Sequence, residues 1–98
     1  MQRMEELRLP SLFSVSGYKV FFWSNEKGEP IHVHISKGKP SPNATKIWIT
    51  SRGKCYLAHN NSNIPKATLK NIMRIIEARS DEVIEKWRTY FNQTKFYF

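Results

Sequence analysis

Cysteine is nearly absent: Cys55 is the one thiol in the chain, and a single thiol closes no intramolecular disulfide. Nothing in the sequence therefore asks for an oxidising compartment. Acidic residues are also scarce, with eight Asp and Glu set against sixteen Lys and Arg, a formal net charge of +8 and a pI near 9.9. Such a field attracts polyanions, with nucleic acid first, an acidic protein second and an anionic membrane surface third. The alternative is a basic, soluble surface with no assigned partner. Long apolar runs are missing too. No segment has the length of a bilayer-spanning helix, and residues 1–10 (MQRMEELRLP) lack the apolar centre of a secretory signal. These absences lead us to expect a cytoplasmic protein that does not span a membrane.

The chain has 98 residues, 40% of them hydrophobic and 13% aromatic, which suffices for one modest core and hence a single domain over residues 1–98. Residues 1–10 form a charged lead-in closed by Pro10. Residues 12–15 and 18–23 are β-like runs around Ser16 and Gly17, so they form either a hairpin or one strand with a glycine break. Residues 24–30 (SNEKGEP) are a loop, and residues 31–35 (IHVHI) are the strand that follows it. A second loop at 36–43 carries Lys37, Gly38 and Lys39 together with two prolines that a central strand would reject. Residues 45–50 alternate cleanly and turn through Ser51, Arg52 and Gly53 into residues 54–59, a second hairpin. The sheet thus spans residues 12–59.

Beyond Asn60 the hydrophobic period lengthens. Leu69, Ile72, Met73 and Ile76 recur at i, i+3, i+4 and i+7, the spacing of one helix face, with Asn63 as the expected N-cap and Pro65 in the first turn. Ser80, Asp81 and Glu82 open a second helix with an apolar stripe of Val83, Ile84, Trp87, Tyr90 and Phe91. Both helices lie within residues 63–93. The aromatic tail at 94–98 is expected to pack on the body or dock on a partner. These elements predict an α+β fold: an antiparallel sheet of four or five strands followed by two C-terminal helices packed on one face.

Side chains alternate across a strand, so parity divides the sheet. One parity collects Val20, Phe22, Val33, Ile35, Ile47, Ile49, Cys55 and Leu57, a core face for the helices to cover. The other collects Lys19, Phe21, Trp23, His32, His34, Lys46, Trp48, Lys54 and Tyr56. Aromatic rings among cations are suited to stacking bases and neutralising phosphates, although such a face can equally close a minor core or an oligomer contact. Lys66, Lys70 and Arg74 add a basic stripe on the first helix, which is either a solvated face or an extension of the same track.

His32 and His34 share one strand face and aim away from Ile31, Val33 and Ile35. Three readings of this pair stand side by side. Two imidazoles can chelate an ion, but the further ligands zinc requires must come from His59, Cys55, Glu26 or Glu29, none at a spacing that ensures convergence. On a regular strand, Cys55 and His59 fall on the opposite face. As acid and base, the pair would cleave RNA through its own 2′-hydroxyl, with Lys19, Lys46, Lys54 or Arg52 holding the phosphate. In the third reading the histidines only hydrogen-bond the loop at residues 26–30.

Residues 17–26 (GYKVFFWSNE), followed by Glu29-Pro30-Ile31-His32-Val33-His34, resemble a family of small bacterial proteins described as domain of unknown function 4160. The resemblance covers roughly residues 9–91 and includes the strand Lys46-Ile47-Trp48-Ile49 and the closing Trp87-Arg88-Thr89-Tyr90-Phe91. It implies a bacterial or phage protein with a heteromeric partner, in gene pairs like toxin–antitoxin modules, and marks Glu26, His32 and His34 as motif positions. The charged lead-in and the aromatic tail depart from the family pattern.

The combined expectation is a small basic component of a toxin–antitoxin-like module that binds RNA. In its enzymatic form this is a metal-independent ribonuclease with His32, His34 and Glu26 at the catalytic site. Lys19, Lys37, Lys39, Lys46 and Arg52 would hold phosphate, and Trp23 and Trp48 would stack bases. No cofactor or metal ligand set is part of this expectation. The competing expectations are a non-enzymatic module that binds a small acidic protein and, third, a metal-binding domain.

Overall fold

The computed structural model describes residues 11–97, so the charged lead-in and the last residue of the aromatic tail lie outside the described residues. Five strands, β1 (Ser11–Val15), β2 (Tyr18–Phe21), β3 (His32–Lys37), β4 (Thr45–Ile49) and β5 (Cys55–His59), pair antiparallel in the order of the chain. Two helices follow, α1 (Lys66–Ala78) and α2 (Ser80–Phe91). This is the expected α+β architecture, with five strands. At the first turn Ser16 and Gly17 both have positive φ, +51° and +84°, and Val15 pairs directly with Tyr18. A two-residue turn of that hand matches the strand twist, so residues 11–21 are a hairpin.

Val20, Ile31, Val33, Ile35, Ile47 and Ile49 have no exposed surface, and they form one core with Leu69, Ile72, Ile76, Val83, Trp87 and Phe91. Each such side chain contributes about 1.5–3 kcal/mol by leaving water. The helices are held by those stripes. Among the described residues α1 has no side-chain cap at its start, where Pro65 stands at the N-cap. Asn63 is not the cap, because it adopts left-handed backbone at φ +54° in the preceding loop. Asn60 braces that loop instead: its carboxamide accepts from the Ile64 N–H (3.0 Å) and from the Thr45 hydroxyl (2.7 Å), and donates to the Ile64 carbonyl (2.9 Å).

Strand β5 departs from the parity pattern in two ways. Ile47 pairs with Leu57 but Lys46 pairs with His59, so Ala58 is an extra residue in a bulge. The bulge turns His59 to the face of His34 and Lys46, where a regular strand would have placed it opposite. As the edge strand, β5 also runs beyond the helices, and Leu57 is left 46% exposed although its register is that of the core. Cys55 is half-buried at its start, with its N–H donating to Glu77 Oε2 at 2.8 Å and its thiol to the Met73 carbonyl at 3.6 Å. Burial, and then the Glu77 carboxylate, push that thiol up to about 12. Thiolate is the reactive form, so Cys55 is expected to resist iodoacetamide at pH 8 in the folded protein and to react once urea unfolds it, as read by mass spectrometry.

The β4–β5 turn fixes where the second helix begins. Gly53 has φ +77°, and a Cβ there would lie 2.6 Å from Ser80 Oγ. Ser80 is itself buried at the start of α2. A Gly53→Ala variant combines left-handed strain with that clash and is expected to lose about 2 kcal/mol in urea unfolding. Gly17→Ala, with nothing within 4 Å of its Cβ, carries the strain alone and should lose less. The aromatic tail returns to the body: the Ile31 N–H donates to the Lys95 carbonyl at 2.8 Å, and the Tyr97 ring stacks on Trp48 at 4.7 Å.

Candidate functional site

The loop between β2 and β3 folds back over the second sheet face and brings Glu26 onto the histidine pair. Its shape is held locally: Glu26 Oε1 accepts from the Trp23 N–H at 2.8 Å, the Glu26 carbonyl accepts from the Glu29 N–H at 3.2 Å, and Gly28 takes φ +92°. The other carboxylate oxygen, Oε2, lies 2.8 Å from His34 Nε2 and 3.0 Å from His32 Nε2. The first contact is a hydrogen bond. The second is not, and His32 Nε2 is a fully buried nitrogen without a hydrogen-bond partner among the described residues. At its opposite nitrogen His32 Nδ1 faces the Pro30 carbonyl at 2.8 Å, and a carbonyl only accepts, so Nδ1 carries the proton.

This cluster lies in the interior rather than on an open face. His32 has no exposed surface, and Glu26 and His34 are 8% and 9% exposed. Phe21 and Trp23 border His34 at 5.6 and 6.3 Å between ring centres, and Trp48 and Trp87 border His32 at 5.6 and 5.2 Å. Burial pushes the Glu26 carboxyl up, but the imidazoles of His32 and His34 beside it outweigh that and hold the group at about 2. The carboxylate is therefore charged at any ordinary pH. Glu29, half-exposed, extends the acidic side of the cluster 3.9 Å from His32 Nε2 and also pairs with Lys46 at 3.6 Å.

The structure brings Glu26, His32 and His34 together with Lys46, Trp23 and Trp48 at their border, and it separates the other expected site residues. Trp48 is already engaged by the Tyr97 ring and by Lys46 Nζ, 4.3 Å from its ring centre. Lys19 is half-buried between β1 and β3. Lys37 lies over the Tyr18 ring at 5.9 Å, and the Lys39 carbonyl accepts from the Ser36 hydroxyl at 2.8 Å. Both belong to the end of β3 away from the cluster. Arg52 stands in the β4–β5 turn. His59 joins the row of His34 and Lys46 through the bulge, and burial, with the charges of Lys46 and His34, lowers its pKa.

A second feature lies on the opposite flank. A cleft beside the β4–β5 turn is lined by Arg52, Lys54, Tyr56 and Glu77, and a shallower depression lined by Lys70, Arg74 and Glu77 adjoins it. The helical stripe was visible in the spacing of Lys70 and Arg74; its meeting with Arg52 and Lys54 depends on how α1 crosses β5.

A five-strand meander, two covering helices and a carboxylate buried between same-strand histidines define a small α+β protein. The chain belongs to the family described as a domain of unknown function (DUF4160), whose model matches residues 17–88, well over half the sequence and all three cluster residues. No curated protein and no solved structure matches it.

Proposed function

We propose that the protein binds single-stranded RNA through the cleft between the β4–β5 turn and α1, as the basic member of a toxin–antitoxin-like pair. The observation that carries this reading is the grouping of four exposed cations, Arg52, Lys54, Lys70 and Arg74, around a cleft that also presents Tyr56, 52% exposed. Among the described residues none of these four is in an ion pair, whereas Arg79, between the helices, and Arg88, on α2, are neutralised by Glu82 and Glu85. Cations along a groove engage phosphates, and an exposed ring offers a stacking platform to any base. His32 has no surface to offer a substrate. The proposal is therefore one of binding, and an acidic partner protein would act by occupying the same cleft.

Fluorescence anisotropy with a labelled single-stranded RNA across a salt series tests the reading. Affinity is expected to fall steeply with salt. An Arg52→Ala/Lys70→Ala/Arg74→Ala variant should lower the log–log slope by about 2, at roughly 0.7 for each phosphate no longer neutralised. Tyr56→Ala should weaken binding about tenfold, within the roughly 1–3 kcal/mol of one stacked base. Absent RNA binding near physiological salt, or binding indifferent to these four substitutions, overturns the proposal and favours the acidic protein.

A further inference from the structure

We infer that Glu26, His32 and His34 form a binding site for one divalent transition-metal ion of the zinc class. The inference stands apart from the RNA reading, because it concerns a buried cluster that shares no residue with the cleft. One donor atom from each residue lies within 4.8 Å of the others. Donors about 2.0–2.1 Å from a tetrahedral ion are roughly 3.3 Å apart, so the carboxylate oxygen at 2.8 and 3.0 Å from the two nitrogens needs to withdraw only slightly.

The decisive atom is His32 Nε2. With Nδ1 donating to the Pro30 carbonyl, the neutral form of the ring presents a lone pair at Nε2, which lies 3.0 Å from a carboxylate oxygen, makes no hydrogen bond among the described residues and is wholly out of contact with water. Two lone pairs at that separation repel. A cation between them satisfies Nε2 and Oε2, and also His34 Nε2 once that nitrogen releases to solvent the proton it now donates to Oε2; a bare Nε2 with the other nitrogen tied to a carbonyl is the arrangement a metal-binding imidazole adopts. The carboxylate is oriented in the same way, its Oε1 occupied by the Trp23 N–H and its Oε2 left to the histidines.

Two imidazoles with one carboxylate favour zinc, cobalt or nickel over magnesium or calcium, which take oxygen ligands. The walls of Phe21, Trp23, Trp48 and Trp87 make the site dry, and the side chains of Glu26 and His34, each 11% exposed, mark the side from which an ion enters. Glu29 is the next donor on that side.

The test uses the whole chain without a histidine tag, stripped with a chelator and titrated with Co²⁺, whose ligand-field absorption reports coordination. The expected result is saturation at one ion per chain, displacement of Co²⁺ by Zn²⁺, and a melting temperature several degrees higher with Zn²⁺ than without. His34→Ala should weaken Co²⁺ binding by more than the roughly 10–100-fold typical of losing an outer-shell partner, while His59→Ala leaves it unchanged. Failure of the stripped wild-type protein to take up Co²⁺ overturns the inference, since that measurement needs no variant to fold. Undiminished uptake by His34→Ala, or loss of uptake in His59→Ala alone, overturns it as well by placing the ion elsewhere.

Discussion

A Glu26→Ala variant is expected to lose about 3 kcal/mol of stability in urea unfolding, measured in chelator-treated buffer so that no ion contributes. The carboxylate is the acceptor for the Trp23 N–H and for His34 Nε2, and it faces His32 Nε2. Removing one member of a buried charged cluster costs roughly 3–5 kcal/mol, because the groups left behind have lost their water and gain no other partner. Alanine strands the Trp23 N–H and His34 Nε2. Glutamine keeps an oxygen for the Trp23 N–H and turns one N–H toward the histidines, so Glu26→Gln should lose about half as much. The pair of variants separates the carboxylate's charge from its hydrogen bonds. A loss under about 1 kcal/mol for alanine would mean that the β2–β3 loop holds its place over the sheet without the carboxylate.

The helices and most of the sheet were legible because their signals are local. Leu69, Ile72 and Ile76 are buried at helical spacing, as are Val83, Trp87 and Phe91. Val20, Val33, Ile35, Ile47 and Ile49 all fall on the face that alternation assigns to the core. Parity failed where the backbone or the edge of the sheet intervened. One extra residue at Ala58 moved His59 across the sheet, and no residue type in Cys55-Tyr56-Leu57-Ala58-His59 signals a bulge. Leu57 kept its register without being covered, since nothing local states how far a helix extends over an edge strand.

The candidate site divides in the same way. That His32 and His34 share a face follows from strand geometry alone, but their burial does not. It depends on Glu26 arriving through a loop, Trp87 arriving from α2, and Tyr97 stacking on Trp48. Of these only Glu26 carries a signal in the sequence, as a motif position. The aromatic residues read as a nucleic-acid face serve largely as the walls of that interior, and the exposed cations that line a cleft and its adjoining depression are those of the turn and α1. Net charge says that polyanions are attracted, while the location of the available cations requires the fold.

Trp87→Ala is expected to have the largest effect of any single substitution in the helices, about 4 kcal/mol, within the roughly 3–5 kcal/mol typical of truncating a buried large aromatic. The ring is 1% exposed and lies 4.8 Å from Phe22, 4.6 Å from Phe91 and 5.2 Å from His32, centre to centre. It therefore joins α2 to the end of β2 and to the wall of the histidine cluster, and the cavity left by alanine opens onto all three. A domain of this size has about 5–15 kcal/mol in total, so the variant should melt far earlier than the parent protein. Tyr90 on the same helix is the control: it meets Phe22 at 5.7 Å but is 46% exposed, and Tyr90→Ala should cost less than about 1 kcal/mol. Urea unfolding followed by circular dichroism measures both. A large loss at Trp87 beside a small one at Tyr90 locates the contribution of α2 in its buried stripe, whereas equal losses would mean that the exposed side of the helix bears on the fold through a contact of its own.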